Sequence, residues 1–202
     1  MQFTSFAISS KLADLKATEA LHAKVSTATT GRPLFRLDNT TLYIVADTIN
    51  NEELKNQFDV ESPIILDYNK LLDSIENGNV YDIVLDVNAT KYSLIAGKTN
   101  PKTGGRAYKL TPVVGKAAQL DWVRSKLENH GVEIENMNIM GTNVMKFAKT
   151  PVAKFKVTIA KTGIGATVTV TDAAAFVEVM KSGIGRAKAY GAGLPLIVAK
   201  RS

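Results

Sequence analysis

Cysteine is absent from this chain of 202 residues, and only two histidines occur, His22 and His130. The first absence excludes a disulfide framework, a thiol nucleophile and a thiolate zinc site. The second excludes a histidine-rich metal centre, so metal chemistry would need carboxylates alone. No apolar run approaches the ~18 residues of a membrane span, and Met1 to Lys16 lack the charged and then apolar regions of a secretory leader. Both absences predict a cytoplasmic protein with no membrane partner.

What remains is an ordinary globular composition, 45% hydrophobic and 22% charged, in a length that fits one large domain or two compact ones. The net charge of +6 is unevenly spread. Residues 1–87 hold 7 Lys/Arg against 13 Asp/Glu, a balance of −6, whereas residues 88–202 hold 18 against 6, a balance of +12. Three acid-free stretches supply the excess: 88–120 with six basic residues, 136–171 with five and 181–202 with five. Such a face suits a polyanion, because neutralising phosphates releases counterions. The alternative is a charge balance that only keeps the chain soluble.

Hydrophobic periodicity organises the chain. Met1–Ser9 predicts a strand and Lys11–Thr27 a helix, with Leu12, Leu15, Leu21 and Val25 near helical spacing and Gly31-Arg32-Pro33 ending it. Leu34–Leu37 and Leu42–Ala46 flank the turn residues Asp38-Asn39-Thr40-Thr41 and predict a hairpin. A short helix over Asn50–Phe58, a helical turn over Asn69–Glu76 and a strand over Val80–Ala89 follow. Lys91–Leu110 reads as a hairpin whose tip, residues 97–105, is polar and basic. Gly115–Asn129 predicts a helix, Ile134–Phe147 and Val152–Val170 strands with a bend at Gly163-Ile-Gly165, Ala173–Lys181 a helix, and Leu194–Ala199 the last strand. The second half therefore reads β, α, β, β, α, β, the ferredoxin-like order, and the first half is compatible with a degraded copy. The expected fold is α+β, two tandem ferredoxin-like domains over 1–90 and 91–202, with antiparallel sheets and helices on one face.

The densest local signal is Gly183-Ile-Gly-Arg-Ala-Lys-Ala-Tyr-Gly-Ala-Gly-Leu194, four glycines with Arg186 and Lys188 between a helix and a strand. Glycine lets backbone N–H groups approach phosphates, and the cations would neutralise them. The loop is no Walker motif, since Gly-Lys-Ser/Thr and a following helix are missing. It is no dinucleotide fingerprint either, since a strand follows. Taken alone it is equally a tight connection.

In position and form this loop resembles the C-terminal signature of the CRISPR-associated repeat RNA-processing proteins, in their type I-E branch. Leu21-His22, Gly31-Arg32-Pro33-Leu-Phe-Arg-Leu-Asp38, Val87-Asn88-Ala89-Thr90-Lys91 and Leu120-Asp-Trp-Val-Arg-Ser-Lys-Leu127 resemble it in the same order. The resemblance spans nearly the whole chain, most specifically its last third and least over 48–79. It implies an endoribonuclease, without metal or other cofactor, that binds the stem-loop of precursor CRISPR RNA and cuts on the 3′ side of the stem. The protein would be a monomer when isolated and would stay bound to its product within the Cascade surveillance complex, alongside the other Cascade subunits. Metal-free cleavage uses the substrate's 2′-OH as nucleophile and needs a base, an acid and cations for the phosphorane charge.

The resemblance implies His22 as the catalytic histidine, and an imidazole, titrating near ~6.5 when unperturbed, fits either proton-transfer role. Where the family carries a tyrosine three residues earlier, this chain has Glu19. Glu19 either orients His22 or is an ordinary helix carboxylate. Arg32, Arg36, Lys98, Lys102, Arg106 and Lys109 are the implied RNA contacts, together with Gly183, Gly185, Arg186, Lys188, Gly191 and Gly193; Arg36, on a strand, is equally a surface ion-pair residue. Lys24 and Ser26 have no motif support. His130 reads as a helix-end cation, Trp122 as helix packing and Tyr190 as support for the glycine loop. The chain lacks the aromatic sheet motif of a standard RNA-recognition module. Its acidic first half is expected to face away from RNA or to dock on a basic subunit. Two other functions remain open at the sequence: a non-catalytic RNA-binding scaffold, and a domain that binds a small anionic metabolite.

Overall fold

The computed structural model describes residues 1–13, 19–148 and 156–201. The first half runs β1 (Gln2–Ala7), α1 (Ser10–Ala13), α2 (Glu19–Thr27), β2 (Leu34–Asp38), β3 (Thr41–Ala46), α3 (Asn51–Phe58) and β4 (Ile65–Asp67). Its sheet has the order β2-β3-β1-β4, with every pair antiparallel. This is the complete ferredoxin-like arrangement rather than a degraded one. The β2–β3 turn closes with Asn39 in the left-handed region, which its short side chain tolerates. On α2, Leu21 and Val25, four apart, are fully buried and hold the helix to the sheet.

After a helical turn, α4 (Tyr68–Leu72), the second half runs β5 (Val80–Val87), β6 (Thr90–Thr99), β7 (Arg106–Pro112), α5 (Lys116–Glu128), β8 (Val132–Ala148), β9 (Lys156–Val170), α6 (Ala173–Ser182) and β10 (Leu196–Arg201). The sheet order is β10-β5-β9-β8. Sequence placed Val80–Ala89 in the domain ending at residue 90. Hydrogen bonding instead places β5 centrally in the second sheet, between β9 and β10. Tyr81, Ile83, Leu85 and Val87 alternate into the same core as Val123, Leu127, Phe176 and Val179 from α5 and α6. The expected first strand of that domain, within Lys91–Leu110, is not part of the sheet: among the described residues β6 and β7 pair only with each other, as a hairpin inserted between β5 and α5.

Residues 14–18 of the expected first helix and 152–155 of the expected long strand lie outside the described residues. The bend predicted at Gly163–Gly165 is borne across the ladder by β8, whose register shifts between Ile139 and Gly141, opposite Gly163. The outer part of this pair leaves its own sheet. Met145 and Ile159 are buried among Leu21, Val25, Phe35 and Phe58, so the second domain supplies part of the first domain's core.

Helix α6 starts where sequence placed it. Asp172 caps it, accepting from the Ala175 N–H at 3.0 Å, and Asn77 accepts from the Ala173 N–H at 2.7 Å. Asp172→Ala is expected to cost about 1 kcal/mol and to lower the melting temperature by about 2–4 °C, read by thermal denaturation. An unchanged melting point would show that Asn77 alone caps the helix.

Candidate active site

Both domains contribute to one cavity of about 970 Å³. His22 and Ser26 line it from α2, Gly31 and Arg32 from the segment before β2, Lys181 and Ser182 from the end of α6, and Lys188 from the glycine loop. With Leu21 and Val25 fixed in the core, the helix presents His22 half-buried on the neighbouring face, and Ser26 Oγ lies 3.4 Å from its Nδ1. Arg32 stands exposed just beyond the turn that ends at Gly31.

The glycine loop is held by backbone bonds within itself and to β5 and α6. Ile184 N–H donates to Gly193 carbonyl at 2.7 Å and Gly193 N–H to the Asp86 carbonyl at 2.6 Å. A Cβ on Gly193, which has φ +89°, would collide with the carbonyl oxygen of Ile184. The N–H groups of Gly183 and Gly191 are also taken, by Val179 and Lys188 carbonyls. The expectation that these glycines cradle phosphate with free backbone donors is therefore corrected for Gly183, Gly191 and Gly193: their role is closure, and the loop offers side chains. Gly185 is exposed, with the Trp122 ring against it; Trp122 also donates to the Thr90 carbonyl at 3.1 Å, so it fastens the loop and hairpin as well as α5.

Lys188 donates to the Ser182 carbonyl at 2.6 Å. Burial, followed by the nearby Arg32 charge, holds its ammonium below the ordinary lysine pKa. An anion between Arg32 and Lys188 would offset both penalties, so the charges at this end of the cavity suit an anionic group. Lys181 adds a cation there, while Asp47 and Glu178 line the cavity as its carboxylates.

Arg36 does not join this group. It is buried at the junction of the two sheets, with Nη1 3.6 Å from Asp86 and Nη2 3.9 Å from Asp38. Arg36 is an ion-pair residue, but a buried one rather than the surface one expected, and its burial removes it from the RNA contacts. Glu19 lies on the same face of α2 as His22 and accepts a hydrogen bond from the Tyr190 hydroxyl at 3.0 Å. His130, at the end of α5, contacts the Lys126 carbonyl at 2.7 Å.

Lys98, Lys102, Arg106 and Lys109 are all exposed on the β6–β7 hairpin and its tip. Arg186 connects loop and hairpin, donating to the Tyr92 hydroxyl at 2.7 Å with its guanidinium 5.6 Å from that ring's centroid. Sequence reading missed Tyr92 and Tyr108, both exposed on the hairpin, and Lys181 in the cavity. The alternation of β6 and β7 contained the signal for the tyrosines. Among the described residues no cluster of three or more His, Cys, Asp or Glu side chains is placed to hold a metal ion, and no helix is long and apolar enough to cross a membrane.

A model of the family described as CRISPR associated protein matches residues 6–199. No curated protein matches the chain. Among solved structures, the chain is similar to the CRISPR-associated protein Cas6e from Escherichia coli K-12, at 16% identity over 98% of each chain with a TM-score of 0.70. It is also similar to Thermus thermophilus Cse3 bound to an RNA representing a pre-cleavage complex, at 16% identity over 98% of each chain with a TM-score of 0.73. A chain of a CRISPR RNA-guided surveillance complex, pre-nicking, gives 16% identity and 0.65, covering 98% of this chain and 99% of that one. At this identity the likeness carries the fold, and it agrees with two tandem ferredoxin-like domains.

Proposed function

Because the chain belongs to the CRISPR associated protein family, we propose that it is a CasE-type endoribonuclease, independent of metal, that cuts precursor CRISPR RNA. It binds the repeat stem-loop, cleaves on the 3′ side of the stem by 2′-OH attack, and stays bound as a subunit of the Cascade surveillance complex. The observation that carries this reading is the joining of His22, Arg32 and Lys188, from both domains, at a single cavity. His22 supplies proton transfer, and the cations stabilise the phosphorane as charge builds on its oxygens. One of the similar structures is bound to RNA and another belongs to an RNA-guided surveillance complex, which supports the same partners.

The exposed cations of the hairpin grip the stem. A-form RNA hides its base edges in a deep, narrow major groove, so Lys98, Lys102, Arg106 and Lys109 act on phosphates. Replacing any one with alanine is expected to weaken hairpin binding and to reduce the slope of log K against log salt by about 0.7–0.9. Equilibrium titrations at several salt concentrations read this, and an unchanged slope for all four would remove the hairpin from the interface.

The reading as a whole is tested by single-turnover cleavage of a cognate CRISPR repeat hairpin in EDTA, beside a hairpin with a 2′-deoxy scissile nucleotide. Cleavage of the first alone, leaving a 2′,3′-cyclic phosphate, is expected. Tight binding of an uncut all-ribose hairpin would make the protein a scaffold. Failure to bind it would remove the function.

A further inference from the structure

Transesterification needs two proton transfers, and His22 accounts for one. We propose that Tyr190 and Glu19 form the second unit, a relay in which the Tyr190 hydroxyl takes the proton of the 2′-OH and passes its own to Glu19. This rests on the endoribonuclease reading and deepens it.

The relay is assembled across the two domains. Glu19 and His22, three residues apart on α2, share one helix face. Tyr190 arrives on the glycine loop, 171 residues from Glu19 in sequence, and donates to Glu19 Oε2 at 3.0 Å. Its ring lies 6.2 Å from the His22 ring, centroid to centroid, so both side chains can reach one phosphodiester. The backbone around Tyr190 is costly to build. A single 3-10 turn, Lys188–Tyr190, is bracketed by Ala187 and Gly191, both in the left-handed region. Ala187, with φ 64°, has no glycine's freedom, and the loop holds that strain. The result places Lys188 in the cavity and Tyr190 on Glu19. Phe147 packs on the Tyr190 ring at 5.0 Å between centroids and fixes it from the side of the β8–β9 pair.

The direction of the Tyr190 hydrogen bond decides the roles. Its proton points at a carboxylate, which leaves the oxygen lone pairs free to accept from the 2′-OH. Burial, and then the Glu19 bond and charge, raise its pKa, so the phenol stays protonated and transmits a proton without accumulating as phenolate. In the step, the O2′–H bond breaks as a Tyr190 O–H bond forms. The former Tyr190 O–H bond breaks as a Glu19 carboxyl O–H bond forms. The O2′ lone pair makes the new O2′–P bond, the P–O5′ bond breaks, and O5′ takes the proton of the His22 imidazolium. Glu19 passes from anion to acid and His22 from cation to neutral, so the cyclic phosphate keeps the single negative charge of the phosphodiester. Glu19 then loses its proton to water and His22 regains one.

A substrate with sulfur in place of the bridging O5′ at the scissile phosphate separates the roles, because a thiolate leaves without a proton donor. Single-turnover rates on the all-oxygen and 5′-thio hairpins are compared for wild type, His22→Ala, Tyr190→Phe and Glu19→Gln, with melting curves and 2′-deoxy hairpin affinity for each. On the all-oxygen hairpin each variant is expected to be slower by about 10²-fold or more. On the 5′-thio hairpin His22→Ala is expected to return to within about tenfold of wild type, whereas Tyr190→Phe and Glu19→Gln keep their deficits. A merely structural Tyr190 predicts no such split, since the phenylalanine ring keeps the packing on Phe147. Wild-type rates for Tyr190→Phe, or its rescue by the thio substrate, overturn the relay and leave the endoribonuclease reading standing. Wild type that binds but cuts neither hairpin overturns the reading and the relay together.

Discussion

His22→Ala is expected to slow single-turnover cleavage of the repeat hairpin by about 10²–10⁴-fold, equivalent to about 2.7–5.4 kcal/mol of transition-state stabilisation, while binding the hairpin as wild type does. The separation follows from what each group touches. On the proposed function, affinity would come from exposed cations on the hairpin and loop, and from Arg32 and Lys188 at the cavity, none of which is hydrogen-bonded to the imidazole among the described residues. Helix α2 is held by Leu21 and Val25, so losing a half-buried ring leaves the fold intact. Binding is read on a 2′-deoxy hairpin, which no variant can cut, and folding by melting temperature. Equal losses of binding and cleavage in a folded variant would show that His22 serves as a contact instead of transferring a proton.

The local elements were legible because their signals are local. Alternation gave β2 and β3, a polar turn gave the sharp reversal between them, and Asp172 announced α6. The domain boundary was not, because a strand's pattern does not name its partners. The alternating burial of β5 is satisfied equally by either sheet, and only its pairing with β9 and β10 shows which one it joins. Arg36 looked like a phosphate ligand because it is a cation near the histidine motif; its burial depends on Asp86, fifty residues on and in the other domain. The same limit hid the Tyr190 to Glu19 bond. His22, Arg32 and Lys188 could be named from their motifs, but the cavity that joins them is a product of domain packing, which places the end of α6 and the glycine loop opposite α2.

That packing predicts the largest loss of stability. Asp86→Ala is expected to destabilise the protein by about 3–5 kcal/mol and to lower its melting temperature by on the order of 10 °C. Asp86 lies between two buried cations from different elements, Arg36 on β2 at 3.6 Å and Lys161 on β9 at 3.1 Å, with side-chain exposures of 13%, 7% and 10% in that order. The guanidinium is already poorly served, since its Nε and Nη1 have no hydrogen-bond partner among the described residues. Removing the carboxylate leaves Arg36 with only the half-exposed Asp38 at 3.9 Å and Lys161 with only the Gly191 carbonyl, and the cost is the desolvation of two weakly compensated charges rather than the modest net worth of the pair. Replacing Arg36 and Lys161 with methionine together with Asp86→Leu removes all three charges and is expected to recover most of the loss. The glycine loop feels the change unequally. Lys161 also donates to the Gly191 carbonyl at 3.3 Å, while Gly193 N–H holds the Asp86 backbone carbonyl, a bond that alanine preserves. Well below its melting temperature, Asp86→Ala is therefore expected to keep hairpin binding. A melting temperature within about 2 °C of wild type would show that solvent reaches the cations and that the junction of the two sheets is not held by charge.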